Sequence, residues 1–579
     1  NQVRTSSMIS TVIFVVALGW IAVALFVFSN VLQTQSTSPA ESPNADNPDG
    51  RRLRPIEEFV PSAVPHAIDP APRPRPPPPA AVAPPQLPPA AMTITDPQDP
   101  PVVAQQTYTQ EQGEDDIDLE PYLTDIWQGD QSRLPPFWKP KDGEDLDSRQ
   151  HQVAGAPSVY LMVASYRDFQ CRETITSAFD RASNPDRVIV GAVQQDIPGD
   201  IGCTEPMKPC EEDPTQALCA RRHQIRLFRM NAKHASGPVL ARHIGDRLYR
   251  GESYAMQVDA HVIFIRDWDK VMIQQLDETR NEYAVLSTYL TDVQGSISPE
   301  GKSLRKTRPI MCNSHFEGGG ETSHIRHLAQ PEEMPALKGV PMLQPYWAAG
   351  MSFSRGHFIT RVPYDCCLPF LFQGEEVSIG IRGFTFGYDF YAPHTSVIFH
   401  EYAVNSKRRK GVHAFWENPG GKGGRDAMRR MVAITKMAPD IDPSSYDHEH
   451  EELYGLGTER PVELFYKVFG MDVRKKSLPG EMCKFVKSGL MHNTFSPSLR
   501  PDGKGIDYSQ LTDFNINEAI QGELRKAKAL AEKHLRGAMS RRKLPGIDQA
   551  LLEAKRARLG KSELVLEAEE LRGQLKQNQ

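Results

Sequence analysis

The sequence predicts an α/β domain that follows a membrane anchor and a proline-rich stem and that precedes a charged helical C-terminus. Three observations predict this organisation. Residues 8–32 carry no charge, many of the 48 prolines lie between Pro61 and Pro101, and apolar runs alternate with amphipathic segments from residue 158 onward. The net charge of −6 over 579 residues gives no reason to expect a nucleic-acid partner.

The uncharged segment 8–32 is long enough to cross a bilayer as a helix. The apolar region of a signal peptide is shorter, about 7–15 residues, and no convincing small-residue cleavage site follows Leu32. A cleaved signal and a buried core helix are the alternatives. Because almost all of the chain follows this segment, we predict a short cytosolic tail over residues 1–7, an anchor over 8–32 and a single-pass type II protein.

The segment 33–150 is predicted to be a disordered stem, because its proline-rich stretches favour polyproline II and bury no core. A docking site for an SH3- or WW-type domain is the alternative, but such a site requires exposure to the cytosol.

The eight cysteines fit a lumenal body with disulfides. Cys203, Cys210 and Cys219 lack paired zinc spacing and predict disulfides. Cys366 and Cys367, if paired, are expected to have different partners.

Apolar runs and amphipathic segments alternate through the next part of the chain. Such alternation predicts a parallel, doubly wound sheet, in which ligands bind beyond the carboxyl ends of the strands. No Gly-x-Gly-x-x-Gly motif follows the first strand, and no phosphate-binding P-loop is present. The predicted strands are 158–166, 187–195, 224–231, 253–264 and 283–290, and the predicted helices are 171–183, 237–251 and 267–280.

The C-terminal residues 476–579 are predicted to be a charged helical extension. An apolar stripe at Leu564, Ala568, Leu571 and Leu575 has helical spacing. Peripheral helices are the simplest interpretation, and a homodimer formed through these helices is left open, although regular heptads are too few to predict a coiled coil.

Asp259 and His261 lie two residues apart where the fourth predicted strand ends. Side chains at such positions point to the same side of a strand, so the carboxylate and the imidazole can share one site. Oxygen and nitrogen ligands together suit manganese or a similar divalent ion. Alone, Asp-x-His is a weak signal, and an ordinary strand end is the alternative. His315, His324 and His327 match no metal-binding spacing and are predicted to be loop residues.

Seven ordered segments make the chain similar to a known family. They are VASYRD, GPVLAR, GESYAMQVDAHVIFIRDWD, WAAGMSFSRGHFITRVPYD, FQGEEVSIGIRGFTFGYDFYAP, IFHEY and YGLGTERPVELFYKVFGMD. Together they resemble the polypeptide and hydroxyproline α-N-acetylglucosaminyltransferases, which use UDP-GlcNAc. The resemblance covers about residues 157–472. It implies a GT-A type fold, which we place over residues 151–475.

The resemblance also implies a metal site and a sugar site. Asp259 and His261 are expected to hold a divalent ion, most simply manganese, on the UDP diphosphate, with His400 as the third ligand and His394 as the fallback. An acid at Glu375 or Glu376 is expected to bond the sugar and act in catalysis. The expected nucleotide-sugar contacts are Ser165, Arg167, Asp168, Gln195, Arg242, Asp259 and Gly350. For Arg242, pairing with a structural carboxylate is an equal alternative.

The implied reaction is metal-dependent, retaining transfer of GlcNAc to a hydroxyl of a protein or peptide. The anchor favours threonine or serine of mucin-like acceptors in the Golgi lumen over hydroxyproline in the cytosol. An anchored carbohydrate-binding or adhesion receptor is one alternative function. A transferase for another donor, such as UDP-GalNAc, is the other.

Overall fold

Strands and helices alternate through most of the described chain, as the apolar periods predict. The computed structural model describes residues 126–127, 131–140, 152–153, 155–402, 413–419, 423–511, 515–560 and 562–577. The strands are β1 Ile126–Trp127, β2 Gln152–Val153, β3 Ala156–Pro157, β4 Val159–Tyr166, β5 Val188–Asp196, β6 Ile225–Asn231, β7 Tyr254–Asp259, β8 Val262–Phe264, β9 Ala284–Ser287, β10 Arg308–Pro309, β11 Ser314–Glu317, β12 His324–His327, β13 Glu332–Glu333, β14 Met342–Gln344, β15 Met351–Arg355, β16 Asp389–Ala392 and β17 Ile398–His400. The α-helices are α1 Cys171–Arg181, α2 Ala217–Ala220, α3 Pro238–Asp246, α4 Trp268–Glu278, α5 His357–Arg361, α6 Glu375–Thr385, α7 Gly424–Ile434, α8 Glu451–Tyr454, α9 Val462–Val468, α10 Met482–Lys487, α11 Leu490–Phe495, α12 Ile516–Arg541, α13 Leu544–Arg556 and α14 Glu563–Gln577.

The central sheet is mixed, and the predicted α/β class is confirmed. Its strand order is β1-β6-β5-β4-β7-β15-β9-β16-β14. The first five strands of this order are parallel neighbours, but β15 is antiparallel to both β7 and β9. A wholly parallel sheet was therefore the wrong prediction. Because β15 enters the sheet beside the end of β7, with Met351 opposite Val258, it has to run in the opposite direction.

The predicted strand 253–264 breaks in two after Asp259. β7 stays in the central sheet, whereas β8 turns away and pairs with β17 in a separate antiparallel ribbon. In that ribbon His400 lies opposite Val262, next to His261. The break therefore brings a residue from late in the chain to the end of β7.

Helix α3 packs against β4 and β5 through very close contacts. Four apolar residues of this segment are buried, namely Val239, Leu240, Ile244 and Leu248. The Tyr160 hydroxyl donates a hydrogen bond of 2.5 Å to the carbonyl of Gly245 on α3. A Cβ on Gly191 of β5 would overlap that hydroxyl, and a Cβ on Gly245 would overlap Met162. The approach of helix and sheet therefore requires glycine at both positions.

All eight cysteines are paired. The disulfides are Cys171–Cys203, Cys210–Cys219, Cys312–Cys483 and Cys366–Cys367. Cys203, Cys210 and Cys219 all form disulfides, as predicted. The expectation of different partners for Cys366 and Cys367 was wrong, because the other six cysteines pair elsewhere and leave these two neighbours to each other.

The C-terminal helices have two hydrophobic cores. Ile516 and Ile520 at the start of α12 belong to the core of the central sheet. From Leu535 onward, α12, α13 and α14 bury a second core of their own, and the predicted stripe from Leu564 to Leu575 packs into it. These apolar residues are thus covered within one chain, while the boundary at residue 475 and the homodimer stay predictions.

The anchor prediction concerns residues that the structure does not describe. Within the described ranges, no helix has the length and apolar character needed to cross a membrane. The segment 8–32 and most of the stem 33–150 lie outside those ranges.

The substitution Gly191→Ala should destabilise the domain by about 1–3 kcal/mol, because the added methyl group must displace Tyr160 from its position against α3. The midpoint of thermal unfolding measures this effect. Gly319→Ala is the matched control, because Gly319 is exposed, has a φ of −139° and has nothing within 4 Å of a new Cβ. Equal midpoints for the two variants would contradict the packing account.

Candidate functional site

Three metal-ligating side chains converge where β7 ends. Asp259 is the last residue of β7, His261 lies in the turn before β8, and His400 ends β17. One ligand atom from each residue lies within 4.8 Å of the other two. Nε2 of His261 is 2.8 Å from Nε2 of His400, which in turn is 3.4 Å from Oδ2 of Asp259. The geometry thus brings together the three residues that the resemblance implies as ligands.

Asp168 orients one of these imidazoles. Its Oδ2 lies 2.6 Å from Nδ1 of His261, on the side of the ring away from His400. A carboxylate in this place keeps the proton on Nδ1 and leaves the Nε2 lone pair free for a metal, as in many metalloenzymes. Asp168 was predicted from the sequence as a nucleotide contact, and the structure places it in contact with Nδ1 of His261.

Arg242 is buried between two carboxylates. Its Nη2 donates to Oδ1 of Asp259 at 2.9 Å, and its Nη1 donates to Oε1 of Glu375. Burial alone would lower the pKa of Arg242, but the charges of Glu375 and Asp259 raise it above its ordinary value. Burial alone would raise the pKa of Asp259, but the hydrogen bond to His400 and the charge of Arg242 hold it well below its usual range. The Asp259 carboxylate is therefore ionised and has a fixed orientation.

The bend at Ala349–Gly350 passes directly against Asp259. A Cβ on Gly350 would lie 3.3 Å from Oδ2 of Asp259, so a side chain there would crowd the ligand cluster. The Ala349 amide donates to Oε1 of Glu376 at 2.9 Å, and its carbonyl accepts from Gln257 at 2.8 Å. The bend is thus held from both sides, next to the ligands.

The two candidate acids of α6 have different partners. Glu375 bonds Arg242, whereas Glu376 holds the bend and accepts hydrogen bonds from Tyr289 and His327 through Oε2. Sequence reasoning missed Tyr289 and His327. The predicted loop positions of His315, His324 and His327 were wrong, since His315 lies in β11 and the other two begin and end β12, where His327 pairs with Ser314.

The remaining nucleotide candidates lie at the ends of β4 and β5. Ala164 of β4 is in register with Asp259, so Ser165 and Arg167 follow at the same edge of the sheet. Gln195 donates to the Ser165 carbonyl at 3.1 Å and accepts from the Arg167 amide through its own carbonyl at 2.8 Å. Its side-chain oxygen Oε1 is buried and has no hydrogen-bond partner within the described residues.

The donor set fits a divalent ion. With its proton on Nδ1, His261 presents the Nε2 lone pair to the cluster, and Nε2 of His400, 2.8 Å away, can present a second lone pair where a cation replaces its proton. Imidazole and carboxylate ligands suit manganese, among other first-row metals. His394, the fallback ligand, instead lies 2.8 Å from Oε2 of Glu278.

The family model described as "Glycosyltransferase (GlcNAc)" matches residues 158–212 and 204–475, which is more than half of the chain. The chain belongs to this glycosyltransferase family. A search of curated proteins by sequence found no match to the transferase.

The transferase is similar to several solved structures at low sequence identity. It is 14% identical to GalNAc-T7 crystallised with UDP, GalNAc and Mn²⁺, over 58% of this chain and 63% of that chain, with a TM-score of 0.35. It is 11% identical to a fragment of S. aureus TarS in complex with UDP-GlcNAc, over 50% of this chain and 68% of that chain, with a TM-score of 0.28. For the mannosyltransferase PcManGT from Pyrobaculum calidifontis with GDP-Man and Mn²⁺, the identity is 12% over 53% and 81%, with a TM-score of 0.26.

Manganese binding distinguishes the ligands from the residues around them. His400→Ala should abolish binding, because it removes one of three ligands, and Asp168→Asn should weaken binding by about 10–100-fold, because it removes the partner of His261. Titration calorimetry measures both affinities. The matched control is His394→Ala, which should bind as the unmodified protein does. Binding lost in the His394 variant but kept in the His400 variant would overturn the ligand assignment.

Proposed function

We propose that the transferase moves GlcNAc from UDP-GlcNAc to a hydroxyl group of a protein, in a metal-dependent reaction on a GT-A type domain. The observation that carries this proposal is the convergence of Asp259, His261 and His400 beside the glycine bend at Gly350. A binding module for carbohydrate has no need for an ionised carboxylate and two imidazoles at the end of a sheet. A family match to glycosyltransferases supports the same conclusion.

The three ligands would hold a divalent ion, with manganese as the proposed metal. When bound, such an ion neutralises a diphosphate and stabilises the charge of the departing UDP. Arg242 keeps Asp259 ionised and aimed at the cluster, and Asp168 keeps the lone pair of His261 pointing inward. These residues prepare the ligands before any nucleotide arrives.

The ends of β4 and β5 are proposed to bind the uracil base. The buried, unpartnered Oε1 of Gln195 is an acceptor that suits the imide N–H of uracil. Ser165 and Arg167 flank it, and the Arg167 side chain is held by Asp200 at 2.8 Å. Asp168 is adjacent in sequence, so the base and the diphosphate would lie side by side along this edge.

The state of the two α6 carboxylates supports retention by a same-face route. Glu375 is committed to Arg242, and Glu376 accepts three hydrogen bonds, so neither is free to attack the anomeric carbon. In the same-face route the acceptor oxygen bonds to the anomeric carbon as the carbon–oxygen bond to UDP breaks. The acceptor's proton passes to the departing phosphate oxygen.

The acceptor is proposed to be threonine or serine of a protein in the Golgi lumen, with the body on the lumenal side of a type II anchor. The four disulfides support an oxidising compartment. The predicted anchor at residues 8–32 supports membrane attachment.

A transfer assay tests the reaction directly. Purified protein with Mn²⁺ should transfer GlcNAc from UDP-GlcNAc to threonine peptides in preference to hydroxyproline peptides. Asp259→Asn should reduce transfer to background, because the ligand carboxylate is lost. The control Asp440→Asn should retain full activity, because among the described residues Asp440 pairs with Arg474 alone, on the exposed surface.

Each contrary result has a distinct meaning. Transfer from UDP-GalNAc but not from UDP-GlcNAc would overturn the proposed donor. Full transfer by Asp259→Asn, or transfer that chelation of metal leaves unchanged, would overturn the metal-dependent mechanism. Circular dichroism of both variants shows whether Asp259→Asn keeps its fold.

A further inference from the structure

We infer that Tyr289 and His327 are positioning residues that set the place of the donor sugar, acting through Glu376 on the Ala349–Gly350 bend. This inference rests on the proposed sugar transfer at the same site. It assigns a role in the reaction to the ribbon of β11 and β12, which no sequence motif connects to the site.

Glu376 accepts hydrogen bonds through both of its carboxylate oxygens. The Tyr289 hydroxyl donates to Oε2 of Glu376 at 2.7 Å, and Nδ1 of His327 lies 3.2 Å from the same oxygen. The other oxygen, Oε1, accepts from the Ala349 amide. One carboxylate therefore joins a tyrosine and a histidine on one side to the bend on the other.

The Glu376 carboxylate is ionised although it is largely buried. Burial alone would raise the pKa of Glu376, but hydrogen bonds from His327 and Tyr289 lower it below its ordinary value. Burial and the nearby charge of Glu376 raise the pKa of Tyr289, so the hydroxyl stays protonated and remains a donor. Within the described residues Glu376 forms no ion pair with lysine or arginine, in contrast to Glu375, which pairs with Arg242. The orientation of the Glu376 carboxylate accordingly depends on the side chains of Tyr289 and His327.

His327 is buried, and its ring is packed against an aromatic neighbour. Its side chain is only 1% exposed, and its ring packs on Tyr346 with centroids 4.7 Å apart. Its Nε2 is buried and has no hydrogen-bond partner within the described residues. The contact with Glu376 is thus the polar interaction that fixes the ring, and the ring in turn fixes Glu376.

The consequence concerns the bend beside the metal ligands. Gly350 lies against Oδ2 of Asp259, so a shift of the bend changes the space between that ligand and the sugar site. Glu376 is the partner that holds the Ala349 amide. Loss of its support should therefore misplace the sugar relative to the diphosphate, and it should leave the contacts to the nucleotide unchanged.

The experiment compares three histidine variants and one tyrosine variant of the full chain. His327→Leu and Tyr289→Phe should lower kcat for transfer by about 10–100-fold, because each removes a hydrogen bond to a buried charge. The affinity for UDP with Mn²⁺, measured by calorimetry, should stay unchanged. His327→Asn should recover most of kcat, because its amide can donate from the position of Nδ1. His315→Leu is the matched control on the same ribbon, where the imidazole is 44% exposed, and it should retain full kcat.

Hydrogen exchange at the bend provides a readout that does not depend on transfer. The Ala349 amide should exchange faster in His327→Leu than in His315→Leu, even if the donor proves to be another sugar. Absence of any transfer by the unmodified protein would overturn the proposed function and leave this exchange result to decide the positioning role. Unchanged exchange and unchanged kcat in His327→Leu, or a His327→Asn variant as impaired as His327→Leu, would overturn the inference.

Discussion

Arg242 lies between Asp259 at the end of β7 and Glu375 at the start of α6, two carboxylates separated by more than a hundred residues. Removing one member of such a buried group typically costs about 3–5 kcal/mol, because the remaining charges lose their compensation. Loss of any one of the three side chains therefore destabilises the other two. Through them Asp259 on the central sheet and helix α6 take up fixed positions relative to each other.

The other residues of the site are arranged around this Arg242 bridge between Asp259 and Glu375. β15 enters the sheet beside β7 and brings the Ala349–Gly350 bend against Asp259. The ribbon of β8 and β17 delivers His400 to His261, and Asp168 fixes the ring of His261 from behind. On the other side of Arg242, Glu375 places its neighbour Glu376 where it can hold the bend. The buried guanidinium group of Arg242 thus connects the proposed metal site with the proposed sugar site.

Much of the fold could be predicted because β4, β5, β6, β7, α1, α3 and α4 each carry their own apolar period. The direction of β15 could not, because alternation of strands and helices says nothing about where a later strand inserts. The pairing of Cys366 with Cys367 likewise depended on the positions of the other six cysteines in space.

The candidate site divides in the same way. Strand parity predicted that Asp259 and His261 point to one side, but the strand ends at Asp259, and the turn that follows it places His261 at the same cluster. His400 came from resemblance alone, since its place opposite Val262 is a long-range pairing. Tyr289 and His327 left no signal in the sequence, because their shared partner Glu376 is distant along the chain and the spacing of the histidines matches no motif.

Anomalous scattering at the manganese edge, from crystals grown with Mn²⁺ and UDP, tests the central claim most directly. The account predicts one strong peak within coordination distance of Asp259, His261 and His400, with Arg242 still bridging Asp259 and Glu375. A peak at other residues, or bound UDP without a peak at this cluster, would contradict it.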